Sequence, residues 1–177
     1  MATYWGLKHL VDLLFLWELR LRLPTLRPMR ADGFIIVDAT PEGQRIDTFG
    51  TAAVAALKKL QNYDPRRFAR VQREVKFVYG CYLNRASKIR LSRSGCMAIY
   101  RRIGKIIMMD RDVLNLSANP EVVLKAYGCA LVHEATHGLL YSRHIPYTYR
   151  TRDRIETLCL LEEARFANMI CEFRNQI

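Results

Sequence analysis

The stretch NPEVVLKAYGCALVHEATHGLLY, residues 119–141, decides the fold. Asn119 caps a helix, Pro120 fills a first helical position that needs no N–H donor, and Glu121 sets a negative charge at the positive end of the helix dipole. Val122, Val123, Ala126, Tyr127, Ala130 and Leu131 then recur at three- and four-residue steps, which predicts a core-facing helix to about Tyr141. Inside it stands His133-Glu134-Ala135-Thr136-His137. Two imidazoles one turn apart share a face, as a common metal ion requires. Glu134 is turned by about 100° from His133, so its carboxylate reaches a water on the open side of such an ion and need not ligate it. A lone buried histidine is satisfied by an ordinary hydrogen bond. Two flanking a glutamate on an apolar helix are hard to satisfy without a shared cation.

A catalytic zinc needs a third protein ligand and leaves its fourth position to water. The metzincin pattern is disfavoured, because its later histidine and glycine fall on Arg143 and Leu140. Glu156 follows His137 after eighteen residues, on Arg152 to Ile177, which reads as a second long helix. HExxH, eighteen residues and a glutamate resembles the gluzincin metallopeptidases over roughly residues 120–171. The resemblance implies one Zn2+ per chain held by His133, His137 and Glu156, with Glu134 taking a proton from the attacking water and returning it to the leaving amine. It also implies a zincin-like α+β fold: a small mixed or antiparallel sheet packed on the HExxH helix, followed by a ligand-bearing C-terminal helix.

Departures from the family narrow the expectation. Ile155 and Thr157 flank Glu156 where the aminopeptidase branch has Asn and Gly, and no Gly-x-Met-Glu-Asn stretch lies upstream, so an amine-anchored exopeptidase is unsupported. The thermolysin-like branch has a histidine-orienting Asp four residues after the ligand; here that position is Leu160. Glu163, within about 20° of Glu156 on the same helical stripe, can bind a ligand histidine's far nitrogen or be the ligand itself. The family spacing favours Glu156 as ligand. Glu162 points away and reads as a solvated acid. Such peptidases add a donor beside the metal for the developing oxyanion, and the loop between the helices offers Tyr141, Arg143, His144, Tyr147, Tyr149 and Arg150, with Tyr149 and His144 ahead. Cys129, one turn before His133, is a buried cysteine with an alternative role as ligand.

Outward from the motif, Arg30 to Gly33 reads as a turn and Phe34 to Val37 as a strand. A helix is expected from Asp47 or Thr48 to about Leu60, and another from Asp64-Pro65 to near Gly80. Lys88 to Arg93, Cys96 to Tyr100 and Gly104 to Met109 carry strand patterns. In zincin-like domains the strand before the catalytic helix is often the edge that pairs an extended substrate. By that resemblance Ile106, Ile107 and Met108 are candidate substrate-binding residues, with a plain core strand as the alternative.

With 177 residues, half of them apolar, the chain supports one core. Residues 1–30 form an amphipathic helix and basic connector, and 31–177 the metallopeptidase domain. Lys8, His9 and Asp12 lie opposite Leu10, Leu13, Leu14, Trp17 and Leu21, and the charges rule out a membrane span. That helix is expected to pack on the domain, with interfacial membrane binding as the alternative. The net charge of +11 admits an anionic partner, nucleic acid or lipid, beside the simpler reading of solubility. Five cysteines without a CxxC pair point to a reducing, cytoplasmic setting, with a peripheral place at a membrane as the alternative. The functional expectation is a zinc endopeptidase with a restricted protein substrate. The alternatives are a non-catalytic zinc-stabilised regulatory protein and a nucleic-acid-associated zinc protease.

Overall fold

Asp32 and Gly33 turn the chain with φ of +49° and +85°, the two-residue hairpin whose twist matches its strands. This is a computed structural model, and it describes residues 13–22, 26, 28–39, 47–82, 97–115, 117 and 119–174. The hairpin joins β1 (Met29–Ala31) to β2 (Phe34–Asp38) antiparallel, so the turn expected at Arg30 to Gly33 is confined to Asp32 and Gly33, while Arg30 and Ala31 are strand. Helices α2 (Asp47–Tyr63) and α3 (Pro65–Glu74) follow. Asp64 caps α3 by accepting the Arg67 amide.

The helix expected to run on to Gly80 stops at Glu74. Val75 takes extended backbone, and Phe77–Cys81 forms β3, the middle strand. A parallel strand covered on both faces is an unbroken apolar run, and its period of two is hidden. Strands β4 (Ala98–Arg101) and β5 (Ile106–Asp110) complete a mixed sheet in the order β1-β2-β3-β5-β4. β2, β3 and β5 run parallel; β1 and β4 are antiparallel to their neighbours. The strand pattern at Lys88 to Arg93 lies outside the described residues. After a 3-10 turn, α4 (Pro120–Ser142) and α5 (Arg152–Arg174) end the α+β chain.

Strand alternation assigns the two faces of the sheet. Phe34, Ile36, Val78, Ile107 and Met109 join the main core with Leu57, Phe68, Tyr127, Leu131 and Phe166 of the helices. Val37, Phe77 and Ile106 turn the other way and meet Leu19 of α1 (13–22). The N-terminal helix therefore packs on the far face of the sheet. Its outer side carries Leu13, Leu14, Trp17 and Leu21, each more than half exposed. Among the described residues no helix is long and apolar enough to cross a membrane.

Two glycines let α4 sit close to its neighbours. A Cβ at Gly128 would lie 2.5 Å from the Phe166 ring of α5, and one at Gly138 would lie 3.0 Å from both Tyr100 and Glu74. Arg70 of α3 ties the same helices together, donating to Thr136 Oγ1 of α4 at 3.1 Å and to Glu162 of α5 at 2.7 Å. Glu162 also accepts from Arg67 and Arg165, so it is an internal counter-ion and not a solvated acid. Part of the basic charge is therefore held inside the fold: Arg67 and Arg70 here, and Arg111, 5% exposed, beside Asp38. Arg85, Lys88, Arg90 and Arg93 lie outside the described residues.

Candidate metal centre

His133 and His137 project from one face of α4 with ring centroids 5.1 Å apart. Each ring nitrogen of His133 faces a carboxylate. Nδ1 lies 3.1 Å from Glu163 Oε2 and Nε2 lies 3.4 Å from Glu156 Oε2, both acids arriving on α5. The other oxygen of Glu156 is 3.7 Å from His137 Nε2. Two ligands about 2.1 Å from a tetrahedral ion are about 3.4 Å from each other. Each Glu156 oxygen thus sits near such an edge length from one histidine, Oε2 from His133 and Oε1 from His137. Glu163 faces the far nitrogen of His133, where an acid fixes the tautomer of a ligand histidine.

A further donor stands in the same place. His133, His137 and Cys159 present ligand atoms that all lie within 4.8 Å of one another, close enough to bind a metal ion. Cys159 is fully buried, three residues and so nearly one helical turn after Glu156. That spacing is visible in the sequence as a second ligand-type residue on the ligand stripe. Cys129, the other thiol considered, is buried but is not one of this converging group.

The electrostatics follow from the contacts. Burial lowers the His133 pKa, but hydrogen bonds to Glu156 and Glu163 outweigh it and carry it to about 9. Burial likewise disfavours the cation at His137, where the Glu156 charge opposes it only in part, and this imidazole falls to about 4. The His133 hydrogen bond draws the Glu156 carboxyl down to about 2, against its own partial burial. Burial pushes the Cys159 thiol up, as does the nearby charge of Glu156 and Glu134. Glu134 is 3% exposed, and its charge acts on both His133 and Cys159, so it stands beside the donor group.

The two loop residues expected as the oxyanion donor, Tyr149 and His144, are both exposed. Tyr149 is 97% exposed. His144 is exposed and ends α4: at φ +58° its amide bonds Tyr141 O while the Ile145 amide bonds Leu140 O, the paired closure of a Schellman stop. Tyr147 reaches the site. Its hydroxyl donates to Glu156 Oε1 at 2.5 Å, and its ring lies edge-on to His137 with centroids 5.7 Å apart.

The substrate-pairing strand expected at Ile106, Ile107 and Met108 is an interior strand. β5 is hydrogen-bonded to β3 on one side and β4 on the other. Ile106 and Met108 face α1, and Ile107 lies in the main core. Among the described residues the outer strand on this side is β4. Tyr100 of β4 packs against Gly138, one residue beyond His137.

Cys81, Cys129, Cys159 and Cys171 are free thiols. Comparison with models of known protein families, with curated proteins and with solved structures finds no match to this chain.

Proposed function

We propose that the chain is a zinc-dependent peptide hydrolase of the gluzincin type, acting on a restricted protein substrate in a reducing compartment and carrying one zinc per chain. One observation carries the reading: the carboxylate of Glu156, brought in from a second helix, lies 3.4 Å and 3.7 Å from the Nε2 atoms of His133 and His137. The mixed sheet beside the HExxH helix supports a zincin-like fold. His133, His137 and Glu156 hold the ion, and Glu163 steadies His133. A zinc ion in that place supplies a Lewis acid for a carbonyl oxygen and acidifies a water. Glu134 accepts the proton of the attacking water and passes it to the departing amine. The Tyr147 hydroxyl, on the more exposed side of the site with His137, donates to the carbonyl oxygen as charge builds there.

Cys159 favours a second reading, a zinc-stabilised protein without catalysis, because structural sites close the fourth position with a protein ligand. Glu134 separates the two, since a structural site has no use for it. The test loads parent and Glu134→Gln with zinc, measures metal content, and assays both on a panel of folded and unfolded proteins. Cleavage of few panel members by the parent, and none by a variant of equal zinc content, is expected. Equal activity in both proteins, or no cleavage by the loaded parent, refutes the hydrolase. Rapid digestion of every unfolded protein refutes the restricted substrate.

A further inference from the structure

The donor group holds one ligand more than an open hydrolytic centre needs. His133 and His137 come from α4 and Glu156 from α5, which fills three positions. The Cys159 sulfur comes within 4.8 Å of ligand nitrogens of both histidines. Cys159 and Glu156 are spaced as i and i+3, so one stripe of α5 presents both to the same pair of imidazoles. The two differ in freedom. Cys159 is fully buried and fixed by packing, whereas Glu156 is 29% exposed at its side chain and is held by the Tyr147 hydroxyl. A thiolate is also the softer ligand and suits a borderline ion such as zinc.

Resting on the metal reading above, we infer that Cys159 is itself a ligand and closes the fourth position of the resting centre, so that a divalent cation is held by two imidazoles, a carboxylate and a thiolate. The thiol gives its proton to solvent as the sulfur–metal bond forms. Water gains a place on the ion only when one of these four ligands lets go. The resting protein is thereby latched by a residue of its own ligand helix.

Cobalt(II) reads this directly, because a thiolate ligand adds a sulfur-to-metal charge-transfer band in the near ultraviolet while the visible bands report four-coordination by any donors. The full chain is titrated with cobalt chloride beside Cys159→Ser and Cys129→Ser, with folding followed by circular dichroism. The expected result is charge-transfer intensity in the parent and in Cys129→Ser, and its loss in Cys159→Ser with the visible bands kept. Cobalt affinity should fall by at least about tenfold in Cys159→Ser, the loss already typical of an outer partner of a ligand. If Cys159→Ser does not fold, the parent spectrum alone decides. Visible bands without charge transfer in the parent overturn the thiolate ligand and leave the three-ligand centre standing. No cobalt spectrum at all overturns the metal centre and the latch together.

Discussion

His133 is gripped from both sides, 3.1 Å from Glu163 and 3.4 Å from Glu156, and two acceptors on one ring require two donors. The metal-free imidazole is therefore a cation up to about pH 9. A metal ion needs the neutral ring, so at pH 7.5 loading should release a proton from His133 besides the one from the Cys159 thiol, and the His133 share should fade as pH rises past 9. Calorimetric titration in buffers of different ionisation enthalpy measures it; an unchanged heat across buffers would contradict the paired cation. Tyr147→Phe removes the hydroxyl beside Glu156 and is expected to lower kcat about a hundredfold with zinc content unchanged, whereas Tyr149→Phe leaves kcat alone. Equal effects of the two would return the donor to an open question. His133, Glu134 and His137 were legible because helical spacing fixes their relative position through covalent geometry, whereas Glu156, on another helix, was expected only from the gluzincin resemblance. Tyr147 was legible only as one of six loop residues. Which of them faces the two histidines depends on the Schellman stop at His144 and on Thr151 bonding back to Pro146 O at 2.5 Å, closures that no periodicity announces.

Among the elements, α4 and α5 matter most, since they carry every donor and touch where Gly128 meets Phe166. Gly128→Ala gains about 1 kcal/mol of helix propensity but forces a methyl 2.5 Å from an aromatic carbon, where overpacking costs about 1–3 kcal/mol. The clash should win, lowering stability and, as the helices part, metal affinity. Phe166→Leu in the same chain should restore part of both. Denaturant midpoints of the single and double variants check this, and a stabilised Gly128→Ala would show that the helices yield freely. The α4 helix was readable from its cap and period, α5 was expected as a second long helix, and β5 was correctly expected as a strand. Its place in the interior of the sheet was not readable, because pairing partners are set by β3, whose apolar run was taken for the tail of α3.

At the scale of the molecule, α1 covers one face of the sheet, α2 to α4 cover the other, and α5 lies outermost on α4. An ion held between the last two helices bonds to the native state alone and so stabilises it. At a free concentration about a hundred times the dissociation constant the gain is about 2.7 kcal/mol. For a chain of this size that is roughly 5–11 °C in Tm, to be read as the drop on adding a strong chelator. No drop would mean that the native protein does not hold the ion. The outer stripe of α1 has a spectroscopic side. The chain has two tryptophans, Trp5 and Trp17, and Trp17 stands 64% exposed on the helix that lies on the sheet face away from α4. Trp17 emission therefore follows α1 and is a poor witness to the metal, while the far-ultraviolet signal follows the whole backbone. The gap between those two melting curves measures how independently the first helix lets go of the sheet.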